Sequence, residues 1–206
     1  MGLPNSLLRQ LTIANQLTLL RLFAVPAFAL ALLNGSLQLA FWLFVGATIT
    51  DKLDGLAARR WGQSTSLGMI LDPAADKLMM LVAYVILALP DHPRSFPEFE
   101  LRWHVPAWLT LLIVLRDLLI VIVAGAIAMT HSQLTFPPSP VGKWAAGTAM
   151  ICAAVFVAGS VWPLLSEGWL TAGVSIVTAT TVGSGIDYLL RTRRMLQSLH
   201  DRATKS

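Results

Sequence analysis

The chain has 206 residues, 55% of them hydrophobic and only 13% charged, an apolar excess that excludes an ordinary soluble domain and points to an integral membrane protein. The net charge of +4 does not indicate nucleic acid, because the basic residues form no long block and stand between apolar runs, where they set orientation in a bilayer. The one cysteine, Cys152, lies in an apolar stretch, which excludes an intramolecular disulfide framework and a cysteine-rich metal site.

In chain order, residues 3–14 set Leu3, Leu7, Leu8, Leu11 and Ile13 around Arg9 and Gln10, the pattern of an amphipathic helix lying on a membrane surface. Gly2 with Ser6 fits a myristoylation pattern and Ala29-Leu30-Ala31 a signal-peptidase site. Both patterns are short and common, and a multispanning chain needs neither. Six apolar segments follow, at residues 17–33, 37–56, 68–89, 106–129, 144–165 and 169–190. At about 20 residues per crossing, they predict an all-α membrane protein of six transmembrane helices. Residues 1–206 then form a single membrane domain, with no room for a soluble one. The breakers between spans are a turn at 34–36, a longer loop at 90–104, another at 136–140 and a tight turn at 166–168.

The connections 34–36, 90–104 and 166–168 hold only Arg94 and Arg102 as basic residues. Arg9, Arg59, Arg60, Lys143, Arg191, Arg193, Arg194, Arg202 and Lys205 fall on the other side. By the positive-inside rule, that side and both termini are cytoplasmic. Trp103, Trp108, Trp162 and Trp169 lie near the outer ends of spans, as an aromatic belt would. A chain this short without an evident transit peptide is expected in a bacterial inner membrane.

The acids are out of place: Asp51, Asp54, Asp72, Asp76, Asp117 and Asp187 all lie in or at the ends of apolar spans. Each carboxylate at a span centre costs on the order of 2.5 to 3.5 kcal/mol, so four together demand compensation. Asp51 and Asp54 are spaced i, i+3 and Asp72 and Asp76 i, i+4, so each pair shares a helix face. The short connection 57–67 makes the two helices antiparallel neighbours whose carboxylates can converge just under the cytoplasmic surface. Repulsion among four carboxylates is relieved by cations, and an all-oxygen donor set suits Mg²⁺ or Mn²⁺, two ions balancing four charges. The bland alternative pairs these acids with Lys52, Arg59, Arg60 and Lys77. Gly55 and Gly68 leave room on the same faces for a flat or phosphorylated ligand, or else serve only helix packing.

Written out, the segment is Asp51-x2-Asp54-Gly55-x2-Ala58-Arg59-x8-Gly68-x3-Asp72-x3-Asp76. It resembles the full signature of the CDP-alcohol phosphotransferases, with every position and spacing matched. Asn15-x-Leu17-Thr18-x2-Arg21 with Pro26 is similar to the opening of the phosphatidylglycerophosphate and cardiolipin synthases, although Ala14 stands where those proteins often have Pro. Arg116-Asp117, Gly142-Lys143 and Ser184-Gly185-x-Asp187-Tyr188 add to the likeness. The resemblance implies a six-helix membrane bundle, usually a homodimer, with its site open to the cytoplasm. It implies attack of an acceptor hydroxyl on the β-phosphorus of a CDP-linked lipid such as CDP-diacylglycerol, with release of CMP. Asp51, Asp54 and Asp72 would hold the metals, while Asp76 would share in that and act as base. Gly55, Ala58 and Gly68 would wall the cytidine, with Asp54 beside it, and Arg59 would hold a phosphate or ribose, unless it anchors lipid headgroups.

The acceptor is sought through Arg21, Arg116 and Lys143. Arg21 and Arg116 lie within spans, where a cation needs a partner. A bound anion would supply it; alternatively Arg116 pairs with Asp117 or Asp187, and Arg21 snorkels to the interface. Synthases that use glycerol 3-phosphate typically carry a second arginine where this chain has Ala124, and its loss weakens a doubly charged phosphate more than a singly charged diester. Phosphatidylglycerol is therefore the expected acceptor, with glycerol 3-phosphate as the alternative. An ion or proton transporter is the rival class, but its charges would span the membrane's depth and its halves would repeat, and the sequence shows neither.

Overall fold

A computed structural model describes residues 13–61, 68–93, 95–130, 139–162 and 166–203. The side chains of residues 13–18, 51–74 and 76, and of several residues near helix ends, lie outside that description. The described residues form six α-helices: α1 (Ile13–Leu33), α2 (Leu37–Trp61), α3 (Gly68–Leu87), α4 (Ala107–Thr130), α5 (Pro140–Val161) and α6 (Glu167–Ala203). The chain divides into two compact units, Met1–Val105 with Ala153–Leu165, and Pro106–Cys152 with Ser166–Ser206.

In the first unit, α1 packs against α2 and α3, and α2 touches α3. Phe28, Leu32, Phe44, Met79, Ala83 and Leu87 are buried there, and the Phe28 and Phe44 rings meet at 5.5 Å between centroids. The expected turn at 34–36 is present. Gly35 takes φ 69°, the left-handed conformation that ends a helix. Its N–H donates to the Leu32 carbonyl at 3.2 Å and that of Ser36 to the Ala31 carbonyl at 2.8 Å, satisfying acceptors the helix end would leave open.

The loop after α3 is ordered by its own hydrogen bonds. Val105 N–H donates to the Leu87 carbonyl at 2.9 Å and His92 N–H to the Phe99 carbonyl at 2.8 Å. Asp91 Oδ1 accepts from the Leu101 N–H at 2.9 Å and lies 3.0 Å from His104 Nε2. Phe99 and Leu101 are buried beneath it. Trp162, expected in an aromatic belt, packs edge-on against Phe41 at 4.9 Å; Trp108 and Trp169 are exposed.

In the second unit α4 packs against α6. Tyr188 Oη donates to the Ile120 carbonyl at 3.2 Å, and the Thr148 and Thr180 hydroxyls of α5 and α6 lie 2.9 Å apart. A Cβ at Gly173 would come within 3.3 Å of Cys152 Sγ, so a small residue lets α6 approach α5 closely. Leu111, Leu115, Leu118, Val121 and Ile122 of α4 are exposed, as are Trp144 and Ile151 of α5. Such surfaces are costly in water and ordinary against lipid.

Among the described residues, three helical segments are long and apolar enough to cross a membrane, Ala107–Ile127, Pro140–Val161 and Glu167–Met195. The first three helices contribute shorter apolar stretches among the described residues, Leu19–Leu33, Leu37–Thr50 and Lys77–Leu87.

Several boundaries differ from the sequence reading, among them the start of α1 at Ile13 and not 17 and the end of α2 at Trp61 and not 56. Helix α5 starts at Pro140, not residue 144, because Ser139 caps it: Ser139 Oγ accepts from the Gly142 N–H at 2.9 Å, and proline suits the first helical position. Helix α6 starts at Glu167, within the expected turn at 166–168, and runs to Ala203, well past 190. Ser166 precedes it, its carbonyl accepting from the Trp169 N–H at 3.1 Å, and Glu167 favours the positive end of the helix. At the other end Asp187 and Arg191 pair at 2.9 Å, spaced i, i+4, which supports helix beyond the apolar run. The expected surface helix at 3–14 falls mostly on residues 1–12, outside the described residues.

Candidate active site

The signature lies on two helices of the first unit. Asp51, Asp54, Gly55, Ala58 and Arg59 are on α2, and Gly68, Asp72 and Asp76 are on α3. All eight have helical backbone, so the i, i+3 and i, i+4 spacings are spacings along real helices. Their side chains lie outside the described residues. Arg21, on α1 of the same unit, is 3% exposed. Its side chain is therefore covered within the fold.

A polar cluster with described side chains lies in the second unit, and Arg116 is its centre. The Arg116 guanidinium donates from Nε to Ser184 Oγ at 3.1 Å, and its Nη2 donates to the same oxygen. Its Nη1 donates to Asp117 Oδ1 at 2.6 Å. The Arg116 and Asp117 side chains are 13% and 20% exposed, so the pair is largely desolvated and each ion needs the other. Of the partners weighed for Arg116, Asp117 is the one it takes; Asp187 instead binds Arg191.

The start of α5 closes on this cluster. A Cβ at Gly142 would lie 3.2 Å from Arg116 Nη2, 3.2 Å from Ser139 Oγ and 3.7 Å from Ser184 Oγ. Glycine at this position therefore admits the guanidinium to the N-terminal turn of α5. Lys143 follows at an exposed position, and the helix dipole adds positive potential at the same end. Together these groups form a partly neutralised cationic corner suited to an anion of modest charge. Arg116 thus lies against the helix start that carries Lys143, whereas Arg21 belongs to the first unit. Ala124, where a second arginine would stand, is half-buried one face along α4.

In the sequence Ser184 stands out only by the family resemblance, and Ser139 does not stand out at all. Both are small hydroxyls beside apolar runs, a signal for a buried cation's partner, but their fellows are remote in sequence.

Residues 11–182 match the family model described as CDP-alcohol phosphatidyltransferase. The chain belongs to this family. Like other CDP-alcohol phosphatidyltransferases it is a transferase of a membrane-embedded class. It is 31% identical over 198 residues to the probable phosphatidylglycerophosphate synthase of Mycobacterium tuberculosis, covering 93% of this chain and 87% of that protein. It is 34% identical over 213 aligned residues to the cardiolipin synthase (CMP-forming) of Streptomyces coelicolor, covering 92% and 86%. A shorter match, 43% identical over 86 residues and covering 40% of this chain and 47% of the relative, is to the CDP-diacylglycerol–glycerol-3-phosphate 3-phosphatidyltransferase of Yersinia pestis. The phosphatidyltransferase thus has relatives named for two different acceptor reactions.

Proposed function

We propose that this phosphatidyltransferase moves the phosphatidyl group of CDP-diacylglycerol to phosphatidylglycerol, forming cardiolipin and CMP. The acceptor hydroxyl attacks the β-phosphorus, the bond from that phosphorus to the CMP oxygen breaks, and CMP leaves with the electron pair. Asp76 takes the hydroxyl proton. Asp51, Asp54, Asp72 and Asp76 would hold two Mg²⁺ or Mn²⁺ ions: four carboxylates on helical spacings are a hard-oxygen donor set of the right charge. When bound, such ions neutralise the diphosphate and make the acceptor hydroxyl more acidic. Gly55, Ala58, Gly68 and Arg59 receive the cytidine nucleotide, and Arg21, Arg116 and Lys143 the acceptor.

The observation that carries the choice of acceptor is the Arg116–Asp117 pair at 2.6 Å. A cation already matched by a carboxylate repels a dianionic monoester through that carboxylate, and suits a singly charged diester better. The second reading, glycerol 3-phosphate as acceptor, draws support from the exposed Lys143 beside the cluster and from the name of the M. tuberculosis relative. In either case the enzyme sits in a bacterial inner membrane as a homodimer of six-span subunits, with an N-terminal surface helix and the site facing the cytoplasm.

The test is CMP release from CDP-diacylglycerol by purified enzyme with Mg²⁺ or Mn²⁺, comparing the two acceptors. Turnover with phosphatidylglycerol and none with glycerol 3-phosphate is the expected result. The reverse would replace the first reading by the second, and no CMP release with either would refute both.

A further inference from the structure

We propose that Ser184 is a positioning residue for acceptor binding: its hydroxyl holds the Nε–Nη2 edge of Arg116, so that the guanidinium meets an acceptor anion in one fixed orientation. The inference rests on the reading of Arg116 as an acceptor-binding cation.

Ser184 is 1% exposed, and its oxygen accepts from both Nε and Nη2 of an arginine 68 residues away. An arginine's paired edge is where a phosphate or carboxylate ordinarily binds through two oxygens. Here one hydroxyl occupies that edge, and Asp117 takes a proton of Nη1. Five N–H donors leave the guanidinium; two remain, one on each terminal nitrogen. Those two are the donors left to meet an anion.

The opposite wall is equally specific. Gly142 keeps its Cβ position empty at 3.2 Å from Nη2, and Ser139 Oγ is held by the Gly142 N–H. The guanidinium is therefore fixed by a hydroxyl on α6, a carboxylate on α4 and a missing side chain on α5. A free arginine loses much rotamer freedom when it binds an anion; one already held loses little, which favours binding.

The experiment measures KM and kcat of the purified enzyme in mixed micelles, titrating CDP-diacylglycerol, glycerol 3-phosphate and phosphatidylglycerol separately. Ser184→Ala should raise KM for the acceptor that turns over by about fivefold to tenfold, leaving kcat and KM for CDP-diacylglycerol within about twofold. Loss of folded enzyme would instead lower kcat and leave both KM values in place. Gly142→Ala, whose Cβ would meet side-chain atoms of Arg116 and Ser139 and no backbone within 4 Å among its nearest contacts, should raise the acceptor KM in the same way by displacing Nη2, with a melting curve taken on the same sample. On an Arg116→Lys background, which keeps the charge but has no paired edge, Ser184→Ala should change the acceptor KM by no more than about twofold. If Arg116→Lys raises the acceptor KM while Ser184→Ala and Gly142→Ala do not, the positioning role is overturned and the acceptor reading of Arg116 stands. If Arg116→Lys leaves the acceptor KM unchanged, both fall. A lower acceptor KM in Ser184→Ala would also overturn the role, because the hydroxyl would then be obstructing the edge.

Discussion

Replacing Gly35 by alanine should destabilise the first unit without touching the chemistry. Gly35 closes α1 at φ 69°, a conformation that costs a residue with a Cβ about 1 to 2 kcal/mol. The added Cβ would also lie 2.8 Å from the Glu98 carbonyl oxygen, closer than real Cβ atoms approach. Relieving that overlap moves backbone in the 90–104 loop, a kind of overpacking that costs about 1 to 3 kcal/mol. The sum, about 2 to 5 kcal/mol, corresponds to a fall in melting temperature of roughly 5 to 15 °C for a chain of this length. Gly35→Asn separates the two parts, since asparagine tolerates the left-handed conformation and retains mainly the steric one; it should melt between the parent and Gly35→Ala. Asp51 lies 14 residues beyond Leu37 on α2, about 21 Å along the axis, so KM and metal response of the folded variants should match the parent. Thermal melts in detergent with CMP release on the same samples decide it. If Gly35→Ala melts within about 2 °C of the parent, the reasoning on this turn is wrong.

Asp72→Asn and Asp76→Asn should each lower CMP release by at least about a hundredfold at an unchanged melting temperature; either variant retaining full metal-dependent activity would refute the roles placed on these carboxylates. Chelation should abolish CMP release, and added Mg²⁺ or Mn²⁺ should restore it; activity that persists in excess chelator would remove the ions from the reading. Asp91→Ala should cost about 1 to 3 kcal/mol by stranding the Leu101 N–H, seen as a lower melting temperature with acceptor KM unchanged, and a melt identical to the parent's would show the loop does not depend on that carboxylate.

Local chemistry was legible in the sequence and remote pairing was not. Asn34-Gly35-Ser36 announces its turn because glycine is the residue that adopts positive φ at no steric cost, and the signature aspartates announce themselves because carboxylates in apolar runs demand a reason. The end of α6 was missed because apolarity stops near Leu190, whereas helix needs only propensity and pairs such as Asp187 with Arg191. The start of α5 is not legible because the apolar run begins only at residue 144, whereas Ser139 caps the helix ahead of it. The sequence leaves Arg116 a choice between Asp117 and Asp187, since side chains at i, i+1 do not normally face one another on a helix; here a long, flexible arginine reaches round to its neighbour. Ser184 could not be assigned from spacing, being 68 residues from the arginine it holds.

Helix α6 has 37 residues and is about 55 Å long at 1.5 Å per residue, against roughly 30 Å of hydrocarbon in a bilayer. Even with tilt, it must project beyond the acyl region as an unbroken rod instead of a slack tether. A fluorophore or spin label joined after Ala203 would therefore ride at a defined height, and its depth relative to lipid-borne quenchers would act as a ruler for how α6 is seated.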